Sequence, residues 1–82
     1  INLTEKEKKA LHEVAFRLPQ KDWTDKDLHE EFYIISRNLE LDNKEFFKAA
    51  YQVLISKERG PQLANFILTI GKNKVRELFE QI

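Results

Sequence analysis

Four residues punctuate this chain of 82: Pro19, Gly60, Pro61 and Gly71. Between them run long stretches in which nothing forbids a helix. Strong helix formers fill those stretches, and 34% of the residues are charged. The reading that follows is an all-α fold, a compact bundle of about five short helices in a single domain spanning residues 1–82. Cysteine is absent, so there is no disulfide framework and no thiolate metal site. That absence fits the cytoplasm but says little about compartment. No apolar run approaches the length of a membrane-crossing helix, and no signal-peptide pattern opens the chain. Ile1 is not a start methionine, so the chain is expected to be an excised piece or a processed product.

Caps mark where the helices begin. Thr4 with Glu7 forms a capping-box pattern that opens the first helix, which runs to Leu18 with Leu11, Val14, Ala15 and Leu18 inward and stops at Pro19. Thr24 starts the second, with Asp25 and Asp27 in its first turn. Trp23 before that cap and Leu28 inside the helix match a hydrophobic staple. Leu28, Phe32, Ile35 and Leu39 form the stripe to be buried. Asp42 and Glu45 open the third helix, with Leu41 and Phe46 as its staple. Phe46, Phe47, Ala50, Tyr51 and Leu54 give it a wide apolar face. A fourth helix is expected from Pro61 to about Ile70, with Leu63, Phe66, Ile67 and Ile70 inward. Gly71 ends it, and a fifth follows with Val75, Leu78, Phe79 and Ile82 inward. The large aromatic residues, Trp23, Phe32, Phe46, Phe47, Phe66 and Phe79, read as core.

No catalytic motif stands along the chain. His12-Glu13 and His29-Glu30 each begin a zinc-protease pattern, but Phe16 and Tyr33 stand where the second histidine belongs. Both histidines read as solvated helix residues. Gly71-Lys72 matches the end of a phosphate-binding loop, but Phe66 occupies the position of its first glycine. Capping accounts for most carboxylates.

Binding is the remaining reading. The net charge is zero, yet residues 1–47 hold 8 Lys and Arg against 11 Asp and Glu, while residues 48–82 hold 6 against 3. A polyanion is therefore directed to the C-terminal half. There Lys57 and Arg59 precede Gly60-Pro61. Gly60 suits a helix end near Arg59 and Pro61 suits the first position of a new helix, whose free amides attract anions. Gln62, Asn65 and Thr69 fall on one polar face of that helix, and amides match base edges. Lys72 and Lys74 lie near the start of the last helix. Tyr33 and Arg37, one turn apart, are placed to stack on unpaired bases. Against this stands the plainer reading: a helix–helix turn, a solvent-facing helix and a boundary tyrosine.

The order of residues adds a family. Trp23, Leu28-His29, Phe32-Tyr33-Ile34-Ile35, Lys44-Glu45-Phe46-Phe47-Lys48-Ala49-Ala50-Tyr51, Leu54-Ile55-Ser56-Lys57-Glu58-Arg59-Gly60-Pro61-Gln62-Leu63, Phe66-Ile67 and Ile70-Gly71-Lys72 resemble the C-terminal end of class I lysyl-tRNA synthetases. The Phe-Phe-Lys-Ala-x-Tyr and Lys-x-Arg-Gly-Pro-x-Leu pieces are the most specific, and the likeness covers roughly residues 20–82. Related glutamyl-tRNA synthetases end in a similar helical region. The resemblance implies an anticodon-binding-domain-like bundle that is not itself catalytic and carries no cofactor. The parent enzyme would join lysine to tRNA using ATP held in a separate catalytic domain. The implied partners are tRNA and the remaining domains of that parent, with neither DNA nor a membrane expected. Members of the family often have Arg after Gly-Pro, where this chain has Gln62, so a phosphate contact there would be weaker. The alternative class is a structural or protein-interaction module.

Overall fold

Thr4 anchors the first helix through a complete capping box. Its side chain accepts from the Glu7 amide at 3.1 Å, and the Glu7 carboxylate accepts from the Thr4 amide at 2.8 Å. The computed structural model describes residues 2–82, and five α-helices account for most of them: α1 Glu5–Arg17, α2 Asp25–Asn38, α3 Asn43–Ile55, α4 Leu63–Ile70 and α5 Lys72–Glu80. Among the described residues there is no β-strand, so the all-α expectation holds. Pro19 does not stop the chain dead, because a 3-10 turn, Leu18–Gln20, carries it one turn past α1. Thr24 and Asp42 cap α2 and α3 as expected, their side chains accepting from the Asp27 and Lys44 amides.

α1 is the central element. It packs most extensively on α5 and also meets α2 and α3, while α2 carries α4. Its buried face joins Ala10, Leu11, Val14, Ala15 and Leu18, the expected stripe plus one small residue. Phe32, Phe46 and Phe79 are the largest fully buried side chains, and the Phe32 and Phe46 rings meet at 5.2 Å. Buried alanines on α1, α3 and α4 let the helices approach closely. Arg17 ties α1 to α2 by an ion pair with Glu31, and Glu13 flanks the same guanidinium at 3.5 Å. No helix among the described residues is long and apolar enough to cross a membrane.

Several sequence expectations shift. Trp23, Phe47 and Phe66 are only half-buried, as are Leu39, Leu54, Ile70, Leu78 and Ile82. On α4 the small Ala64 is buried and Phe66 is not, because α4 leans on α2 along Leu63, Ala64 and Ile67. α2 ends without a glycine. Glu40 takes a left-handed conformation, φ 54°, its amide bonds the Arg37 carbonyl, and the Leu41 amide reaches back to Ser36 at 2.8 Å. That is a Schellman closure with a non-glycine residue at the left-handed position. Gly71, at φ 113°, is the single residue between α4 and α5.

Candidate nucleic-acid interface

The corner between α3 and α4 is built differently from its sequence signature. α3 stops at Ile55, not near Arg59, and the left-handed stop is Ser56 at φ 58°. Gly60 has no positive φ. Its role is close approach: a Cβ there would lie 2.9 Å from Ile55 Cδ1 and 3.2 Å from the Tyr51 ring. The Tyr51 hydroxyl donates to the Pro61 carbonyl and latches the far end of the loop to α3. Burial pushes the Tyr51 phenol above its ordinary value. The loop from Ser56 to Pro61 is thus pressed onto α3, so the helix that was to continue to Arg59 gives way to it.

α4 accordingly begins at Leu63, two residues beyond Pro61. Gln62 is its N-cap, with Oε1 accepting from the Asn65 amide at 2.9 Å. Part of the Gln62 side chain is therefore committed to the helix, although the residue is exposed. Asn65 is exposed with its side chain on the solvent face, and Thr69 Oγ1 donates to its carbonyl at 2.8 Å.

Lys57 and Arg59 are exposed on the loop. Arg59 lines a groove whose other walls are Lys44, Phe47, Lys48, Tyr51 and Glu58. Lys48 and Glu58 pair across it at 3.5 Å, both substantially in solvent, where such a pair adds little stability. Tyr33 and Arg37 line a neighbouring depression with Leu41, Asp42 and Asn43. Tyr33 is 36% exposed and meets Phe47 with ring centroids 6.0 Å apart. Phe47 lines only the Arg59 groove, but its ring contact with Tyr33 joins that groove to the Tyr33 side of the molecule. His29 joins this aromatic group, edge-on to Tyr33 at 4.9 Å and stacked on Phe47 at 6.0 Å. It is half-buried, not the solvated residue expected, because it faces α3 from α2.

Lys72 stands apart from the corner. Its Nζ donates to the Lys21 carbonyl at 3.2 Å and lies 3.7 Å from Asp22, which fixes it to the α1–α2 connection. Lys74 is exposed on α5. No group of three or more potential metal ligands lies together among the described residues. Lys44 and Lys48 carry part of the family resemblance but were not among the RNA-binding candidates read from sequence. The signal was available, since they sit one turn apart beside Phe47 and Tyr51 on α3.

An anticodon binding domain family model matches residues 2–81. A lysine–tRNA ligase from Borreliella burgdorferi is 39% identical over 79 residues, covering 93% of this chain and 15% of the relative. One from Treponema pallidum is 40% identical over 55 residues, 67% of this chain and 10% of its own length. One from Thermoplasma acidophilum is 28% identical over 82 residues, the whole chain against 16% of the relative. The chain thus spans about one-sixth or less of the length of these relatives. No solved structure gives a significant match.

Proposed function

The chain belongs to the anticodon binding domain family, and from that premise we propose that it is the tRNA-binding piece of a class I lysine–tRNA ligase. It lies at the C-terminal end of that enzyme's helical region, works in the cytoplasm and contacts the anticodon end of the tRNA. The catalytic fold, with its ATP, belongs to the rest of the parent. The observation that carries this reading is a family match running through nearly every residue of the chain. The surface chemistry supports it. Lys57 and Arg59 are exposed at a corner locked by Tyr51 and Gly60, Asn65 offers an amide on the exposed face of α4, and Tyr33 with Arg37 offers a ring and a cation one helical turn apart. Gln62 contributes chiefly by capping α4. Lys72 is held by Asp22 and the Lys21 carbonyl, and Lys74 is exposed on α5.

The remaining domains of the parent are the second partner. Phe16, 67% exposed on α1, is the large apolar side chain most open to such packing.

Two measurements test the proposal. The purified chain should bind an anticodon-arm hairpin in preference to an acceptor-arm hairpin, with affinity falling as salt rises. It should show no lysine-dependent exchange of pyrophosphate into ATP. Equal affinity for the two hairpins, or measurable exchange, contradicts it. Arg59→Ala should weaken hairpin binding and lower the salt slope by about one phosphate contact without altering the melting temperature.

A further inference from the structure

We propose that the groove between α3 and the 56–61 loop holds one unpaired RNA nucleotide, its base on Phe47 and its phosphate at Lys44, Lys48 and Arg59. This inference rests on the tRNA reading given above and identifies where within the domain a single-stranded base is seated.

Three features converge there. The floor is aromatic: Phe47 is half-buried and the Tyr51 ring lies beside it. A planar base covers such a floor regardless of its identity, since every base has a π-face. The rim is cationic, with Lys44, Lys48 and Arg59 set against one carboxylate, Glu58. The third feature is rigidity. The wall that carries Arg59 is held against α3 by the Tyr51 hydroxyl on the Pro61 carbonyl and by the close approach of Gly60. Little ordering of the loop is then required when a ligand arrives.

The aromatic depression at Phe16 and Trp23 makes the contrast. Its cations are already engaged: Arg17 by Glu31 and Glu13, and Lys21 by Asp27 at 3.9 Å and by the Trp23 ring at 4.3 Å. Glu13 and Glu31 line that depression as well. An anion gains nothing there, whereas the α3 groove keeps two cations beyond the one facing Glu58.

The test is an amide-resolved NMR titration of the chain with three probes: an RNA stem-loop, the same stem closed into a blunt duplex, and a poly-glutamate peptide. The stem-loop should shift amides around residues 44–51 and 58–60 and bind more tightly than either competitor. Phe47→Leu, which keeps an apolar side chain and removes the ring, should weaken stem-loop binding roughly ten-fold with the salt slope unchanged. Lys48→Gln, on an exposed side chain that leaves the core intact, should instead lower the salt slope by about 0.7–0.9. If Phe47→Leu melts early, Lys48→Gln and Lys44→Gln carry the test. Wild-type affinity in these variants, duplex binding equal to stem-loop binding, or shifts confined to other surfaces would overturn the groove alone. Equal or tighter binding of poly-glutamate would make it a protein-docking groove. Failure of the wild-type chain to bind either RNA would overturn the groove and the tRNA reading together.

Discussion

Gly60 and Gly71 should both resist substitution, for opposite reasons, and the difference is measurable. At Gly60 the backbone is ordinary and the space is missing, with Ile55 Cδ1 at 2.9 Å and two Tyr51 ring carbons at 3.2 Å from the site of a Cβ. The Tyr51 ring cannot retreat without breaking its hydroxyl bond to Pro61. Crowding of this kind costs about 1–3 kcal/mol. Loss of glycine stiffens the unfolded chain and returns about 0.4–1 kcal/mol. Gly60→Val should therefore destabilise the fold by about 1.3 kcal/mol from the midpoints of those ranges, lowering the melting temperature by roughly 5–10 °C. At Gly71 the balance reverses: nothing lies within 4 Å of a Cβ, but φ is 113°. Gly71→Val should cost about 1–3 kcal/mol through backbone strain alone. Ile55→Val deletes the Cδ1 atom that crowds position 60, and so separates the two cases. In urea denaturation it should recover about 1 kcal/mol of the Gly60→Val loss and combine additively, within about 0.5 kcal/mol, with Gly71→Val. A Gly60→Val protein as stable as the parent, or one that Ile55→Val fails to relieve, would refute the close-approach argument.

Phe46→Ala, at a fully buried ring packed on Phe32, should lower unfolding free energy by about 3–5 kcal/mol in the same assay. Tyr51→Phe should cost about 1 kcal/mol at neutral pH by stranding the Pro61 carbonyl. The folded phenol titrates above its ordinary value of 10.0 because it is buried, so the unfolded chain loses that proton first. The Tyr51 contribution is then present below pH 10 and shrinks as pH rises through the folded value. Melts of the parent and Tyr51→Phe should accordingly converge in alkali, and a constant gap would argue against it. Gln62→Ala should destabilise by about 0.5–1 kcal/mol through loss of the α4 cap, and a loss of RNA affinity with no change in melting temperature would give Gln62 a direct contact instead. Glu40→Gly should raise the melting temperature, since the left-handed residue closing α2 would no longer carry a Cβ.

The starts of α1, α2 and α3 were local decisions, and they were legible, whereas α4 begins two residues later than Pro61 suggested. Thr4, Thr24 and Asp42 each place an oxygen where orphan amides need one, and the capping chemistry involves residues at most three apart. The α1 stripe and the single-residue joint at Gly71 follow from the same short-range rules. Helix ends were less legible. α2 and α3 stop on Glu40 and Ser56, residue types that announce no stop, and Gly60-Pro61 punctuates a loop already under way. α2 closes through its own backbone bonds at Glu40 and Leu41, while after α3 the Tyr51 hydroxyl, ten residues before Pro61, draws the loop onto the helix and Gly60 lets it lie there. The candidate site divides in the same manner. Arg59 and Lys57 stood out by sequence beside a glycine and a proline, and Tyr33 with Arg37 by their spacing on one helix. Phe47 had the hydrophobicity of a core residue, and Lys44 and Lys48 had the appearance of a solvated face. Only the packing of α2 and the 56–61 loop against α3 leaves that ring half-open and brings Arg59 to the same groove as the two lysines. Period and capping act over a few bonds of chain and can be read along it, whereas which side of a half-buried ring stays open depends on elements far apart in sequence.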